Sequence, residues 1–134
     1  MTDMELLLAA IEARSYAYAP YSNHLVGAAL LTKSGKLYTG CNVENAAYSP
    51  TNCAERTAVF KAVSEGEREF SAIAIVGGIG DTLSPVCAPC GICRQVLAEF
   101  CDSDLRIVMG TPEKIEISTL GDLLPLSFGK SNLN

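Results

Sequence analysis

Two short segments, Cys53-Ala54-Glu55 and Pro89-Cys90-Gly91-Ile92-Cys93, constrain the fold of this chain more than any other feature. Each opens a stretch of helical periodicity, and between them Ser71 to Val76 reads as a short buried strand. Cys90 and Cys93 stand one helical turn apart, so both sulfurs can face a single point. If Cys53 joins them, two helix N-termini must converge there, and their positive ends favour thiolate over thiol. Three thiolates without a fourth protein ligand describe a metal site with one open position, whereas a structural zinc site is closed by four. Glu55 is placed to handle the proton of a water in that position. Alone, Cys90 and Cys93 would read as readily as a redox pair or two buried thiols as they would as zinc ligands; Cys53 and Glu55 favour zinc, one ion per chain.

The rest of the chain supplies a frame for such a site. Thr2-Asp3-Met4-Glu5 is a capping-box signature. Met4, Leu7, Leu8 and Ile11 then repeat at helical spacing, predicting a first helix to about Tyr18, before Pro20. Leu25 to Thr32 and Lys36 to Cys41 read as a hairpin around Ser34-Gly35. A helix is expected from Cys53 to Glu65, with Gly66 at its C-terminus, and another from about Cys90 through Val96, Leu97 and Phe100. Leu105 to Met109 and Lys114 to Ser118 are the last strands. Only Gly110-Thr111-Pro112-Glu113 separates them, too short for a parallel crossover, so as neighbours they must pair antiparallel. The alternation of strand and helix before them implies right-handed parallel crossovers in mid-sheet. The expected architecture is a three-layer α/β/α domain over residues 1–134 with a five-stranded mixed sheet.

Composition narrows the partners. A chain of 134 residues, 49% hydrophobic, can build a real core. No apolar run approaches a membrane span, and the N-terminus does not read as a signal peptide, so the expected location is the cytoplasm with reduced thiols. A net charge of −5 with scattered Lys and Arg argues against nucleic acid and for a small neutral substrate.

The two cysteine segments resemble the cytidine deaminase family, in its short all-cysteine form acting on free nucleosides. The likeness covers nearly the whole chain. Asn42-Val43-Glu44-Asn45-Ala46-Ala47-Tyr48 is similar to the family's ribose-binding segment, and Cys53 to Ala58 and Pro89 to Val96 to its two zinc helices. Ala17-Tyr18-Ala19-Pro20-Tyr21-Ser22 and Leu123-Leu124-Pro125 match its ends. The terminal hairpin is also similar to the free-nucleoside enzymes, since polynucleotide-editing members place a helix there.

The resemblance implies zinc-dependent hydrolysis of cytidine and deoxycytidine to uridine, deoxyuridine and ammonia, in pyrimidine salvage. Glu55 would pass a proton from water to N3 of the ring, opening C4 to attack, and then carry one to the leaving amine. Asn42 and Glu44 follow a strand at the sheet edge where ligands bind, and their side chains suit ribose hydroxyls; a solvated loop uses the same residue types. Ala54 and Ala46 are implied as further substrate contacts, and Arg56 as a donor to the zinc thiolates, though plain surface arginine is the ordinary reading of Arg56 and of Arg94. Tyr48 and Phe128 resemble residues that reach a neighbouring subunit's pocket in a homotetramer with shared active sites; as core aromatics they would look the same. Two other readings stay open: a deaminase of a cytosine-nucleoside antibiotic on this fold, and a non-catalytic zinc-binding module.

His24, the single histidine, stands where many relatives have a stacking Phe, and reads either as a weaker stacking ring or as a surface residue. Cys87 makes a second C-x-x-C with Cys90, but Pro89 holds Ala88 extended, so Cys87 should precede the helix, point elsewhere and remain a free thiol. Cys41 and Cys101 read as core residues.

Overall fold

The computed structural model describes residues 1–133. A helix α1 (Asp3–Arg14) leads into strands β1 (His24–Thr32) and β2 (Leu37–Cys41), then α2 (Ala54–Ser64), β3 (Phe70–Ile79), α3 (Gly91–Phe100), β4 (Arg106–Thr111), β5 (Lys114–Thr119) and the short α4 (Leu120–Leu123). The capping box forms as expected: Thr2 Oγ1 accepts from the Glu5 amide, and Glu5 accepts from the Thr2 amide. The first helix ends at Arg14 rather than near Tyr18. Tyr18 turns away to exchange backbone hydrogen bonds with Asn42 and Glu44, a tertiary pairing that the local periodicity could not contain.

The sheet has the order β2-β1-β3-β4-β5. β1 pairs antiparallel with β2 and β3, so β2 and β3 run the same way on either side of it. β3 and β4 are parallel through α3, and β4 and β5 are antiparallel across their tight turn. Leu6, Leu7 and Ala10 of α1 pack on Ala29, Ala74, Val76 and Val108 on one face of the sheet. On the other face Ala58, Val59 and Ala62 of α2, with Leu97 of α3, cover Ala28, Leu30, Ile73, Ile75 and Ile107. Both faces of β1 and β3 are covered, which is why they read as continuous apolar runs.

This topology brings the C-terminal ends of β2, β3 and β4 to one edge. There the chain leaves β2 toward Asn42 and Glu44, and leaves β3 toward Cys87 and Cys90. The N-terminus of α2 is drawn to the same edge by Gly40, where a Cβ would lie 2.5 Å from the Ala54 carbonyl oxygen and 2.6 Å from the Ala58 nitrogen. Gly40→Ala should therefore push α2 outward, costing about 1–3 kcal/mol by overpacking and lowering metal affinity with it. Thermal unfolding reads the first effect and metal titration the second. A variant that melts with the wild type would mean that the helix yields without cost.

Candidate active site

Two helices are capped here by cysteine. Cys53 is the N-cap of α2 and Cys90 the N-cap of α3, both with extended backbone and neither making a side-chain capping bond. Ser, Thr, Asp or Asn at such a position would stabilise the helix by about 1 kcal/mol. Those positions instead leave sulfur free, beside the unpaired N–H groups of a first turn. Cys93 lies one turn into α3 and is fully buried.

The three sulfurs meet. Cys53 Sγ and Cys90 Sγ are 3.9 Å apart, Cys90 Sγ and Cys93 Sγ 3.5 Å, and all three lie within 4.8 Å of one another. A tetrahedral zinc with bonds of about 2.3 Å needs sulfurs about 3.8 Å apart. The donor set fits zinc in chemistry as well as spacing. Three thiolates at a partly buried point need more positive charge than one guanidinium provides, and a divalent ion supplies it. Among the described residues this is the single cluster of three or more potential ligand side chains. Hydrogen bonds from Cys93 and from Arg56 bring the Cys53 thiol down to about 5. Cys93 is held far above the usual thiol range by its bond to Cys53 and by burial.

Arg56, one residue past Glu55, donates from Nη2 to Cys53 Sγ at 3.2 Å, the contact the family resemblance implied. Arg94 does not share that role. Its Nε donates to the Pro89 carbonyl at 2.7 Å and its Nη1 to the Leu123 carbonyl at 2.6 Å, so it ties α3 to the end of α4.

Glu55 sits in the first turn of α2 with only 4% of its surface exposed. Burial disfavours its charge and raises the carboxyl to about 7, with Cys53 pushing in the same direction. A carboxyl near neutrality can both take and give a proton at working pH.

A cavity of about 340 Å³ opens in front of these groups, lined by Cys53, Ala54, Glu55 and Cys90 on one side and by His24, Val26, Asn42 and Glu44 on the other. Asn42 and Glu44 are braced into place. Asn42 Nδ2 donates to the His24 carbonyl at 2.8 Å, and Asn42 Oδ1 accepts from the Val26 amide at 2.9 Å. Glu44 accepts from the amides of Tyr21 and Ser22 at 2.9 and 3.1 Å and from the Ser22 hydroxyl, and these bonds keep its carboxyl below the usual range. The result is a carboxylate whose ionised form is favoured, held by the loop between α1 and β1.

His24 borders the cavity and is half-buried; its Cε1 lies 3.2 Å from where a Gly77 Cβ would stand, so the ring lies over a glycine that leaves it room. Cys87 was expected to face elsewhere. It stays outside the sulfur cluster yet lines the cavity, because Gly77 has no side chain and Cys87 Sγ fills that space, 2.6 Å from the missing Cβ. Burial pushes its thiol up to about 11, with the charge of Glu55 adding and that of Arg14 opposing.

Ala46, Tyr48 and Phe128 lie outside this cavity. Ala46 is exposed, Tyr48 is 74% exposed with a φ of 61°, and Phe128 is 61% exposed. Neither aromatic is a core residue. Tyr48 instead stands edge-on to Tyr21, ring centroids 6.4 Å apart. Sequence reading missed Ser22, Thr51 and Asn52, which also line the cavity. Asn52 Nδ2 donates to Thr57 Oγ1 at 3.0 Å, tying the residue before the cap to the first turns of α2.

Comparison with known proteins agrees with this geometry. The model of the cytidine and deoxycytidylate deaminase zinc-binding region matches residues 1–111. A cytidine deaminase of Sporosarcina psychrophila is 52% identical over 134 residues, covering 98% of this chain and 96% of its own. The crystal structure of a cytidine deaminase from Burkholderia pseudomallei superposes with a TM-score of 0.88 at 50% identity, over 96% of this chain and all of that one (100%). A blasticidin-S deaminase of Bacillus cereus is 30% identical over 133 residues, covering 96% of this chain and 94% of its own. With the cysteines of its two helix caps clustered beside a buried glutamate, this chain belongs to the cytidine and deoxycytidylate deaminase zinc-binding family.

Proposed function

We propose that the chain hydrolyses cytidine and deoxycytidine to the uracil nucleosides and ammonia, with Glu55 as its catalytic residue and Cys53, Cys90 and Cys93 as its zinc ligands. The observation that carries this is the placement of Glu55: a nearly buried carboxyl, raised toward neutrality, beside a three-sulfur cluster and at the wall of a nucleoside-sized cavity. When bound, zinc lowers the pKa of water to about 7 and so supplies a nucleophile at neutral pH. Glu55 would take one proton from that water and deliver it to N3 of the base, so that the water oxygen adds to C4. It would then take the second proton from the added hydroxyl and deliver it to the C4 amine, which leaves as ammonia as the C4 carbonyl forms. Arg56 offsets the charge at Cys53 throughout. Asn42 and Glu44 hold the ribose, Ala54 adds a contact to the substrate, and His24 lies against the base.

A purely structural zinc module is disfavoured, since it would be closed by four protein ligands and would have no use for a buried glutamate. The likeness to a blasticidin-S deaminase keeps a second substrate in view. Asn42 and Glu44 favour an ordinary ribose. Loss of cytidine absorbance on incubation with the zinc-loaded protein tests the proposal, and blasticidin S in the same assay separates the two readings.

Glu44→Ala should raise KM for cytidine about ten- to hundredfold, as expected when one partner of a polar contact is lost, with zinc content unchanged. Asn42→Ala should do the same and also lower the melting temperature, because the Val26 amide and the His24 carbonyl lose their buried partner. Kinetics with free cytosine supply the control. Equal losses on cytosine and cytidine would show that Glu44 shapes the loop and does not hold the sugar.

We further place the enzyme in pyrimidine salvage in the cytoplasm, as a homotetramer with shared sites. The acidic chain carries no helix long and apolar enough to cross a membrane among its described residues. Exposed Tyr48, Leu126 and Phe128 offer apolar surface to a second copy.

A further inference from the structure

We propose that Arg14 is a positioning residue for the substrate cavity, holding the ends of β1 and β3 so that His24, Val26 and Cys87 form one wall. This rests on the deaminase reading above, but the contacts that carry it lie on the opposite face of the sheet from the proposed chemistry.

Arg14 is the last residue of α1, and its guanidinium reaches three backbone carbonyls. Nε donates to the Leu25 oxygen at 2.8 Å, and Nη2 to the Gly78 oxygen at 2.8 Å and the Gly80 oxygen at 2.5 Å. Leu25 and Gly78 are register partners, one step in from the last pair, His24 with Ile79, so the side chain clasps both strands near the end of their pairing and also the first residue beyond β3. Planar donors in a fixed fork suit that task, and a lysine has none.

Two glycines make the reach possible. At Gly27 a Cβ would fall 2.0 Å from the Ala10 oxygen and 2.6 Å from the Arg14 nitrogen, so α1 lies directly on β1. At Gly78 a Cβ would fall 1.9 Å from the Thr82 oxygen and 2.9 Å from the Ser84 nitrogen, so the chain folds straight back over the strand end. That return is closed by the Ser84 amide donating to the Gly77 oxygen at 2.8 Å.

Successive strand residues face opposite sides of a sheet. Gly78 faces the returning loop beside Arg14, whereas Gly77 faces His24, Val26 and Cys87 in the cavity. The residues flanking Leu25 are His24 and Val26, both in the cavity wall. Arg14 thus fixes the three backbone points from which that wall is built, and the chain between Gly80 and Cys87 starts from one of them. None of these contacts touches Glu55 or the sulfur cluster, so the effect belongs to binding of the base.

Zinc-loaded Arg14→Ala should raise KM for cytidine at least tenfold, with kcat within about threefold of wild type and one zinc retained per chain. Amide hydrogen exchange over residues 80–86 should accelerate at least tenfold, while α3 keeps its protection. Arg14→Lys should give intermediate values, and it carries the test if the alanine variant does not fold. A KM within twofold of wild type in either zinc-loaded variant overturns the proposal, whatever happens to melting temperature. So does unchanged exchange over residues 80–86. A wild-type protein inert toward cytidine would instead remove the functional reading, and the exchange measurement would then decide the role of Arg14 by itself.

Discussion

Glu55→Gln is expected to fold, to bind one zinc per chain and to lose more than 99% of its turnover of cytidine, since a general acid–base group is worth about 10²–10⁴ in rate. Here one carboxyl is asked to move protons at two stages, so the loss should reach the upper part of that span. Glutamine keeps the shape of the side chain in a site where only 4% of the surface is exposed, and it removes only the ability to take a proton. The amide has a second consequence. Burial raises the Glu55 carboxyl from 4.5 to about 7, so in metal-free protein the folded state binds more protons than the unfolded one across that interval. Stability therefore falls as pH rises through the interval, and the cost is fully present above about 7. A neutral glutamine escapes that cost, so metal-free Glu55→Gln should melt at or above the wild-type temperature at pH 8. Loss of activity with equal or higher stability is the signature of a site that trades stability for function. A variant that keeps a tenth of wild-type activity would rule out Glu55 as the proton carrier.

The sequence carried the parts of this arrangement that depend on neighbours along the chain. The capping box at Thr2 and Glu5, the hairpin at Ser34-Gly35 and the stop of α2 before Gly66, whose φ is 96°, are set within a few residues. So is the antiparallel pairing of β4 and β5, forced by a short turn. What was not legible depends on residues far apart. β3 runs on to Ile79 through its pairing with β1, past the end that the sequence predicts at Val76, since Gly77 and Gly78 give no hydrophobic signal, yet their bareness is what admits Cys87 and the loop after Gly80. Arg94 follows a cysteine of the sulfur cluster just as Arg56 follows Glu55, but one helix step turns it toward Leu123. Adjacency in sequence says little about which face a helical side chain takes. Ser22 and Asn52 are ordinary polar loop residues until the fold sets them around a cavity.

Removing a ligand should separate the sulfur cluster from its neighbours most sharply at Cys90. That residue is exposed at the helix cap, so Cys90→Ala should leave the core intact and yet abolish stable zinc binding. Cys53→Ala should do the same. Cys93→Ala should lose the metal and also some stability, because its sulfur is fully buried in α3. Cys87→Ala leaves all three clustered sulfurs in place and should keep one zinc per chain, with any effect confined to the cavity it lines. Stability should follow the same division. A ligand that binds only the folded state adds about 4.1 kcal/mol at a thousand times its dissociation constant, so added zinc should raise the melting temperature of the wild type and of Cys87→Ala by many degrees. In Cys90→Ala the same addition should do little, because two thiolates and Arg56 make a far weaker site. Elemental analysis after dialysis against a mild chelator, with melting curves on the same samples, reads both effects. Full zinc in Cys90→Ala together with loss in Cys87→Ala would assign the metal to the other thiol of this C-x-x-C pair, and the open position beside Glu55 would then have to be built from a different set of ligands.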